Sequence, residues 1–466
     1  MKRTKIVATI GPASQNEKVL KDLILSGVNV CRLNFSHGNL VQKKEAIDMI
    51  RKVSSKLKIS VAILADLPGP KIRLGEIDGV FKIKKGDVLT FGMNGQTHLP
   101  IQFDFTKDVQ EGQKMYLNDA LIALTIIKAK DGVVTAKALN NGWVTSRKGI
   151  NLPETVFKSN TFTKEDRESS IFAIKENCDF IAISFVQSSK DVAPLRELLN
   201  KMNSKIKIIS KIETPYAVAN IEDLVRDSDA IMIARGDLAI ETSPAEVPLI
   251  QQKIIVLSRQ YQKPVIVATQ MLESMIDNPR PTRAEASDVA NAVLSQVDAV
   301  MLSAESASGN FPVETVKTMS SIIEAVEANP EYKRYIKINW EKLNLNDISF
   351  NAIVSSSASL AFRLKAPIIG VGTVTGKIAR QLSSFRPSSE IIAYTHDETI
   401  ARQLHLSWGV ISVVIDDKFE SQTFDKVMIE NIKKNKFSRK GNTAVLVWGS
   451  KIGTSGTTDT IRVAKI

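Results

Sequence analysis

Eight short apolar runs, each ending in polar residues, constrain the fold of this sequence more than any other feature. They are rich in β-branched residues and nearly continuous, which is typical of parallel strands buried on both faces. Amphipathic helical stretches such as NEKVLKDLILSG lie between them. The runs are KIVATIG from Lys5, VNVCRLNF from Val28, SVAILADL from Ser60, FIAISFV from Phe180, KIISKIE from Lys207, AIMIARGDL from Ala230, PVIVATQ from Pro264 and AVMLSAE from Ala299. Eight strands predict an α/β fold of the (β/α)8 type, a TIM barrel, over the alternative of an open doubly wound sheet.

The spacing of the runs indicates an inserted domain. Most runs start about one βα unit of roughly 30 residues after the previous run, but the gap between Ser60 and Phe180 is far longer. Within it, short alternating runs and turn signals such as Asp78-Gly79 predict a small β-domain after the third strand. This insertion is expected to act as a lid over the barrel, and a mere structural spacer is the alternative.

A third domain is predicted after the eighth strand. A Lys- and Asn-rich stretch at residues 337–346 resembles a linker, and the apolar runs beyond it indicate an open α/β sheet. The predicted organisation is a catalytic barrel at 1–70 and 151–335, a lid at 71–150 and a C-terminal α/β regulatory domain at 346–466. Since the sequence stops at the end of this sheet, we expect no appended phosphotransfer domain.

The composition is that of an ordinary globular protein, and it excludes several classes of protein. Of the 466 residues, 43% are hydrophobic and 24% charged, and no apolar run reaches the roughly 20 residues of a membrane helix. The N-terminal KIVATIG resembles a strand rather than a signal peptide, so we predict a cytoplasmic protein without a membrane partner. Only Cys31 and Cys178 are present, which excludes a disulfide framework and a Cys-rich zinc site. The net charge of +12 suits anionic small substrates; nucleic-acid binding is the disfavoured alternative, because the basic residues are spread along the chain.

Polar residues crowd the carboxyl ends of all eight predicted strands. In a barrel these ends converge on one mouth, where barrel enzymes keep their chemistry. Any one of these residues alone is explained as a charge that leaves the core, but the joint pattern predicts one dense polar site. The residues are Thr9, Arg32, Asn34, Ser36, Asp66, Ser184, Lys211, Glu213, Arg235, Asp237, Thr269, Gln270, Ser303 and Glu305.

The charges of this set predict magnesium-dependent phosphoryl transfer. Glu213 and Asp237 end neighbouring strands, and Mg²⁺ commonly takes one or two protein carboxylates together with substrate oxygens and water. With four His and two Cys in the chain, softer metals have few ligands. Arg32, Arg73 and Lys211 supply cations that can neutralise a transferring phosphoryl group. Ordinary ion pairs of the two arginines remain the alternative.

Six ordered motifs resemble those of the pyruvate kinase family over essentially the whole chain. They are ATIGPAS from Ala8, CRLNFSHG from Cys31, DLPGPKIRLG from Asp66, SKIET from Ser210, ARGDLAIE from Ala234 and ATQMLESMIDNPRPTRAEASDVANAV from Ala268. The resemblance implies phosphoryl transfer from phosphoenolpyruvate to ADP, the last step of glycolysis, in a homotetramer. It also implies one protein-bound and one nucleotide-bound divalent ion, Mg²⁺ or Mn²⁺.

The same resemblance implies a role for each matching residue. The metal ligands are Glu213 and Asp237, and the catalytic residues are Lys211, Arg32, Thr269 and Arg73. Substrate binding is assigned to Arg32, Lys211, Ala234, Arg235, Gly236, Asp237 and Thr269, and nucleotide binding to Asn34, His37, Arg73, Lys148 and Asp119. Since a threonine hydroxyl is a poor acid, Thr269 is expected to order the water that delivers a proton, with Ser303 and Glu305 extending that relay.

One departure from the family pattern bears on cofactors. Potassium-dependent members carry Thr and Glu where this chain has Leu67 and Lys71. A fixed ammonium from Lys71, near Asn34, Ser36 and Asp66, would supply the charge otherwise brought by a potassium ion. We therefore predict activity without K⁺.

Two Gly- and Thr-rich turns in the C-terminal domain predict an effector site. In the family such turns hold a sugar phosphate or a nucleotide, so allosteric activation is expected; two ordinary turns in an unregulated enzyme are the alternative. The residues are Thr373, Thr375, Gly376, Lys377, Gly453, Ser455, Gly456 and Thr457.

Two other functions stay open at this stage. A magnesium-enolate lyase or aldolase also needs carboxylates and an arginine, but Lys211 and the lid disfavour it. A non-catalytic metabolite sensor would require loss of the metal ligands or of Lys211, and all three are present.

Overall fold

The structure is a computed structural model, and it describes residues 2–70, 72–93, 97–157, 161–330, 332, 348–415, 423–449 and 458–466. The predicted linker at 337–346 lies outside these ranges. The strands are β1 Lys5–Thr9, β2 Val30–Asn34, β3 Ala62–Asp66, β4 Phe81–Ile83, β5 Val88–Gly92, β6 Leu99–Pro100, β7 Lys114–Leu117, β8 Ile122–Lys130, β9 Val133–Ala138, β10 Gly142–Val144, β11 Ile150–Asn151, β12 Phe180–Ile183, β13 Lys207–Ile212, β14 Ala230–Ala234, β15 Val265–Ala268, β16 Ala299–Leu302, β17 Ile368–Gly372, β18 Glu390–Thr395, β19 Val410–Val414, β20 Thr443–Gly449 and β21 Thr458–Lys465.

The helices of the same ranges separate the strands of the barrel and flank the C-terminal sheet. They are α1 Glu17–Leu25, α2 Leu40–Leu57, α3 Lys164–Lys175, α4 Ala193–Lys201, α5 Pro215–Ala219, α6 Ile221–Asp227, α7 Arg235–Glu241, α8 Val247–Gln260, α9 Arg283–Leu294, α10 Ala304–Ala307, α11 Pro312–Ala328, α12 Ile348–Arg363, α13 Lys377–Ser384, α14 Glu398–Gln403 and α15 Phe424–Lys434. Short 3-10 helices occur at Ser189–Asp191, Glu273–Ile276 and Leu404–Leu406. None of the helices described is long and apolar enough to cross a membrane.

The eight predicted strands close into a parallel barrel, which confirms the predicted fold class. The order around the ring is β1-β16-β15-β14-β13-β12-β3-β2. Alternate residues divide between two buried clusters: Ile6 and Ala8 pack outward against the helices, whereas Val7 points into the barrel interior. The interior cluster also includes Leu406 of the C-terminal domain, so that domain packs against the base of the barrel.

Caps begin several of the barrel helices, and the sequence predicts the one at α3, because Asp166 follows Thr163 by three residues, close to a capping-box pattern. The Thr163 hydroxyl accepts a hydrogen bond from Asp166 N at 3.0 Å, and Asp166 Oδ2 accepts one from Thr163 N at 2.9 Å. This reciprocal pair satisfies two N–H groups that the first turn of α3 leaves without an intrahelical acceptor.

A repeated hydrogen bond ties together the base of the barrel at every second strand. Just before β2, β12, β14 and β16, a side-chain oxygen accepts the backbone N–H of the preceding barrel strand. The donor and acceptor pairs are Ile6 with Asn29, Ile63 with Asp179, Ile208 with Asp229 and Val265 with Asp298, at 2.8 to 3.1 Å. The base is therefore held by hydrogen bonds in addition to its strand ladder.

The insertion after β3 is a small β-domain, as its alternating sequence indicates. A six-stranded sheet has the order β11-β7-β8-β9-β5-β6, and β10 pairs with β4. After β7 the backbone turns through three left-handed residues, Asn118, Asp119 and Ala120, with φ values of 54° to 64°. Such a run is costly for residues other than glycine, so this turn, in which Asn118 is buried and Asp119 and Ala120 are exposed, holds a specific backbone shape.

The C-terminal domain is an open α/β sheet with the order β19-β18-β17-β20-β21, in which only β21 is antiparallel among the described strands. It joins the barrel base through two buried ion pairs. Arg386 donates to Asp298 at 3.0 and 2.9 Å, and Arg402 Nε donates to Asp179 Oδ1 at 2.7 Å. The Arg386 guanidinium also lies 5.2 Å from the ring centroid of Trp408. The contact between the C-terminal domain and the barrel base is therefore polar and specific.

Candidate active site

Four charged side chains from the ends of three strands, β2, β3 and β13, form one network at the open end of the barrel. Arg32 Nε donates to Asp66 Oδ2 at 2.6 Å, and Lys211 Nζ lies 3.3 Å from Asp66 Oδ1. The same ammonium lies 2.9 Å from Glu213 Oε1 and donates to Ser184 Oγ at 2.8 Å. Strand ends thus bring together residues that are far apart in sequence, as the strand pattern predicted.

The network keeps its charges because its members compensate one another. Burial opposes the charge of Lys211, but Asp66 and Glu213 raise its pKa well above the ordinary value. Burial likewise opposes ionisation of Asp66, but Lys211 and Arg32 outweigh it and lower the pKa of that carboxyl. Lys211 is therefore a fixed ammonium at the centre of the site.

The pKa of Glu213 is raised, whereas that of Asp66 is lowered, and Glu213 fits the role of a metal ligand. Burial raises its pKa, and the neighbouring Asp237 adds to the rise, although Lys211 works against both. Neither Glu213 Oε1 nor Asp66 Oδ1 accepts a well-formed hydrogen bond, although Lys211 Nζ is near both atoms. A divalent cation beside Glu213 and Asp237 would add the positive charge by which Lys211 falls short of offsetting the burial of Glu213.

The number of ligands also suits magnesium. No group of three or more His, Cys, Asp and Glu side chains able to hold a metal occurs among the described residues. Two carboxylates such as Glu213 and Asp237 could hold an ion that completes its coordination with substrate oxygens and water, as Mg²⁺ does.

A strained loop beside the network presents Thr269. Thr269 has a φ of 70° and Gln270 a φ of 54°, the left-handed region that a β-branched residue rarely adopts. The Thr269 hydroxyl donates to Ala268 O at 2.6 Å and accepts from Gly236 N at 2.8 Å. The strained loop is thereby fastened to the first turn of α7.

Arg235 holds this loop in place. Its Nη1 donates to Asp288 Oδ1 at 2.8 Å, and its Nη2 donates to Thr269 O at 2.8 Å. The guanidinium predicted to bind substrate is therefore engaged with the protein, and Arg235 supports Thr269. Its partner Asp288 was missed from the sequence because it lies on α9, more than fifty positions along the chain.

Glu305 and Ser303 have similar supporting positions. The buried Glu305 carboxylate accepts from Ser303 N at 2.7 Å and from Leu272 N at 3.2 Å. Both oxygens are thus used to fix the loops after β15 and β16. The predicted proton relay would therefore run through the Glu305 carboxylate, which already accepts hydrogen bonds from two backbone N–H groups.

A cavity of about 650 Å³ opens beside Arg32, between the ends of β1 and β2. Ile10, Leu33 and Ala46 line it together with Asn34 and His37, two predicted nucleotide ligands. No Asp or Glu is found among the described residues that line it. Its electrostatics therefore favour an anion with an apolar portion.

Lys43 also lines this cavity, and sequence reasoning missed it. The lysine is half-buried, its Nζ lies 5.9 Å from the Phe35 ring centroid, and burial together with Arg32 lowers its pKa. Among the described carboxylates none forms an ion pair with it. Lys43 lies one helical turn beyond Asn39, the cap of α2, a position from which a side chain can reach back toward a ligand.

Comparisons with known proteins decide the family. The family description "Pyruvate kinase, barrel domain" matches residues 1–316, and "Pyruvate kinase, alpha/beta domain" matches residues 351–464. The chain belongs to the pyruvate kinase family. It is 41% identical to a pyruvate kinase from Staphylococcus saprophyticus over 99% of this chain and 80% of that protein. A crystal structure of a pyruvate kinase from Cryptosporidium parvum covers 100% of this chain and 96% of its own, with 33% identity and a TM-score of 0.93.

Membership of the pyruvate kinase family makes this chain a phosphotransferase. It also confirms the resemblance seen in the motifs. The relatives do not assign individual residues, so the roles of the side chains rest on the geometry above.

The residues of the insertion that are predicted to reach a nucleotide lie at its junction with the barrel and in the turn after β7. Arg73 Nη1 donates to Arg147 O at 3.1 Å, and Lys148 O accepts from Leu74 N at 2.8 Å, so both lie where the two connecting segments meet. Asp119 is exposed within the left-handed turn after β7. These residues are separate from the Lys211 network in the described contacts.

The remaining predicted sites are described only in part. Leu67 is buried, and Asn34 Oδ1 accepts from Ser36 N at 3.0 Å, whereas Lys71 lies outside the described residues. In the C-terminal domain, Gly376 N donates to Thr373 Oγ1 at 2.9 Å at the start of α13, with Thr375 and Lys377 beside it. Gly453, Ser455, Gly456 and Thr457, the second predicted effector turn, lie outside the described residues.

Proposed function

We propose that this enzyme transfers the phosphoryl group of phosphoenolpyruvate to ADP, giving pyruvate and ATP, with Mg²⁺ or Mn²⁺ as cofactor. The observation that carries the proposal is the Lys211 ammonium, fixed between Asp66 and Glu213 and close to Arg32. Two cations beside a two-carboxylate metal site meet the main requirement of phosphoryl transfer, which is to position the group and neutralise its spreading charge.

Each side chain then has a defined task. Glu213 and Asp237 would hold the divalent ion, which supplies charge to the phosphoenolpyruvate phosphate and carboxylate. Arg32 grips phosphate oxygens with its remaining N–H groups, and Lys211 donates to the group in transfer. The first turn of α7 would offer its backbone amides to the substrate carboxylate, apart from Gly236 N, which donates to Thr269 Oγ1.

Thr269 fits a role in protonating the enolpyruvate that remains. Its hydroxyl proton is donated to Ala268 O, but one oxygen lone pair is left after Gly236 N is accepted. A water that donates one proton to this oxygen is oriented to deliver the other to the substrate carbon. Thr269 thus orders the proton donor and is not itself the acid.

ADP is proposed to occupy the cavity beside Arg32. The apolar floor around Ile10 and Leu33 suits a base, and Arg32, His37 and Lys43 suit its phosphates. Asn34 provides a neutral polar contact at the rim. Arg73, Lys148 and Asp119 would reach the nucleotide and its metal when the lid closes, which excludes water from the reaction.

The decisive experiment compares Lys211→Met with the parent chain in pyruvate formation from phosphoenolpyruvate and ADP with Mg²⁺. We expect a loss of several orders of magnitude in kcat, because the ammonium acts on the transferring group. Lys207→Met is the matched control on the same strand, since Lys207 lies at the base and faces Asp229. Turnover of Lys211→Met near the parent value would remove Lys211 from the mechanism, and an inactive parent would favour the lyase or sensor hypotheses.

Potassium independence is part of the proposal. A buried Leu67 offers no hydroxyl ligand to a monovalent cation, and the sequence places Lys71 nearby. We expect parental turnover in buffer without K⁺. Restoration of threonine and glutamate at positions 67 and 71 should create a K⁺ requirement, and strict K⁺ dependence of the parent would contradict the reasoning.

Regulation is the last element of the proposal. The hydroxyl-anchored turn at Thr373 and Gly376, at the start of a helix, suits a phosphate of a sugar phosphate or nucleotide. We propose allosteric activation there in a cytoplasmic homotetramer. Assays with added sugar phosphates and nucleotides, with and without Thr373→Val, would test the site, and sedimentation would test the tetramer.

A further inference from the structure

A buried side-chain hydrogen bond joins the inserted sheet to the helix that carries Asp237. Asn151 Nδ2 donates to Glu241 Oε1 at 2.7 Å, and the two residues are only 5% and 7% exposed. Asn151 lies one residue past the predicted boundary of the lid, but it is part of β11 and pairs with Tyr116 of β7, so it belongs to the sheet of the lid. A hydrogen bond to a carboxylate that is shielded from water is stronger than an exposed one.

Helix α7 connects this bond directly to the metal site. It runs from Arg235 to Glu241, and Glu241 follows Asp237 by four residues. Residues four apart lie on the same face of a helix, about 6 Å apart along its axis. A displacement of Glu241 therefore moves the same face of the helix that presents Asp237.

The barrel and the lid hold opposite ends of α7. At its first turn, Arg235 is fixed by Asp288, and Gly236 N donates to Thr269. At its last turn, Glu241 Oε1 accepts the hydrogen bond from Asn151 Nδ2 of the inserted sheet. A seven-residue helix held in this way has little freedom to absorb a movement of the lid.

Two cavities adjoin the hydrogen bond between Asn151 and Glu241. A cavity of about 40 Å³ is lined by both Asn151 and Glu241. A larger space of about 550 Å³ adjoins Glu241 between Tyr216 and Tyr116. The hydrogen bond therefore lies at the edge of a cavity between the inserted sheet and α7.

We propose that Asn151 is a positioning residue that acts through Glu241 and α7 to tie the position of the lid to the position of Asp237. The proposal rests on the metal role of Asp237 given above. In this arrangement the lid and the divalent ion both contact α7, so the position of one affects the binding of the other. By thermodynamic reciprocity, a nucleotide that favours the lid in this position tightens the ion, and the ion favours the same lid position.

Two measurements on the full chain test the proposal, and neither uses turnover. Hydrogen exchange of residues 235–241 reports the mobility of α7, and equilibrium binding of Mn²⁺ alone reports the metal site. In Asn151→Ala we expect α7 amides to exchange at least fivefold faster than in the parent, and the Mn²⁺ Kd to rise roughly tenfold, as for loss of a support behind a metal ligand.

Matched variants separate coupling from damage to the lid. Asn140 is another lid asparagine, but it bonds to Leu121 O and Ala123 N inside the insertion. Asn140→Ala should leave α7 exchange and Mn²⁺ binding within twofold of the parent. Glu241→Gln keeps an acceptor for Asn151 and should protect α7 as the parent does. Asn151→Ser, which is too short to reach Glu241, repeats the test if the alanine variant does not fold.

Equal exchange and equal Mn²⁺ affinity in Asn151→Ala and Asn140→Ala would overturn the proposal. The exchange measurement needs no metal, so it decides the coupling even if the parent binds Mn²⁺ weakly. Failure of the proposed function appears elsewhere, as a parent that cannot convert phosphoenolpyruvate and ADP. If the parent is inactive but the α7 amides still exchange faster in Asn151→Ala, the proposed function is wrong and the proposed coupling still holds.

Discussion

Replacing Asp298 with alanine should destabilise the junction between the barrel and the C-terminal domain severely. The carboxylate is 5% exposed and binds the Arg386 guanidinium, itself 1% exposed, through both oxygens. It also accepts from Val265 N and Trp408 N, each at 3.1 Å. One substitution therefore removes the partner of a buried cation and the acceptor of two backbone donors.

The expected cost follows from these contacts. Removing one partner of a buried ion pair costs about 3 to 5 kcal/mol, because the other charge stays buried and uncompensated. The nearby Arg259, whose pKa burial and Arg386 lower to about 10, would be left beside Arg386 without Asp298. With the two orphaned N–H groups added, we expect a loss of about 4 to 6 kcal/mol in unfolding free energy. Arg386→Met should cost less, about 2 to 3 kcal/mol, because Asp298 keeps its backbone donors and methionine fills the space.

Urea unfolding of the three variants, followed by tryptophan fluorescence, measures these differences. The double variant Asp298→Ala with Arg386→Met should lose less free energy than the sum of the single changes, since the second change removes the stranded cation. A cost below about 1 kcal/mol for Asp298→Ala, or additive single costs, would refute the reasoning that this pair is a buried, interdependent unit.

Three further predictions follow from individual charges. Lys43→Gln should raise the KM for ADP roughly five- to tenfold, with little change in the KM for phosphoenolpyruvate, because one phosphate contact is lost. Lys44→Gln is the control, since Lys44 pairs with Asp48 and Glu176. Equal KM values for ADP in the two variants would contradict the role of Lys43 in binding ADP. Burial lowers the pKa of Lys5 from 10.5 to about 7, so between these values the unfolded chain binds one more proton and the free energy of unfolding rises with pH. Chemical unfolding at pH 7.5 and 8.5 should show a rise of about 1 kcal/mol that Lys5→Met lacks, and an equal slope in both chains would contradict it. Because burial raises the pKa of Glu213, the Mn²⁺ Kd measured by calorimetry should rise as pH falls from 7.5 to 5.5. Glu213→Gln should bind Mn²⁺ weakly at both pH values. A parent chain whose Mn²⁺ Kd does not depend on pH would count against Glu213 as a ligand.

The sequence predicted the fold well because its signals are local or periodic. Eight buried runs with helices between them specify a closed barrel, and the capping box at Thr163 starts α3 where the pattern indicates. The convergence of Lys211 and Asp66 also followed, since strand ends of a barrel share one mouth.

The sequence could not specify which way each side chain turns. Arg235 sits among polar strand-end residues, yet its guanidinium turns to Asp288 and supports Thr269. Lys43 has no distinguishing motif, and its importance follows only from the cavity it lines. The bond between Asn151 and Glu241 depends on how two domains meet, which no local pattern records.

The repeated hydrogen bonds at the base of the barrel determine how the C-terminal domain is mounted. Of the four acceptors, Asp179 and Asp298 are the two that also bind arginines of that domain. They precede β12 and β16, which lie four places apart in a ring of eight and therefore on opposite sides of it. A single attachment would act as a pivot, but two attachments across a diameter resist swivelling. A rotation of the C-terminal domain against the barrel would therefore have to break ion pairs at two strands half a circumference apart.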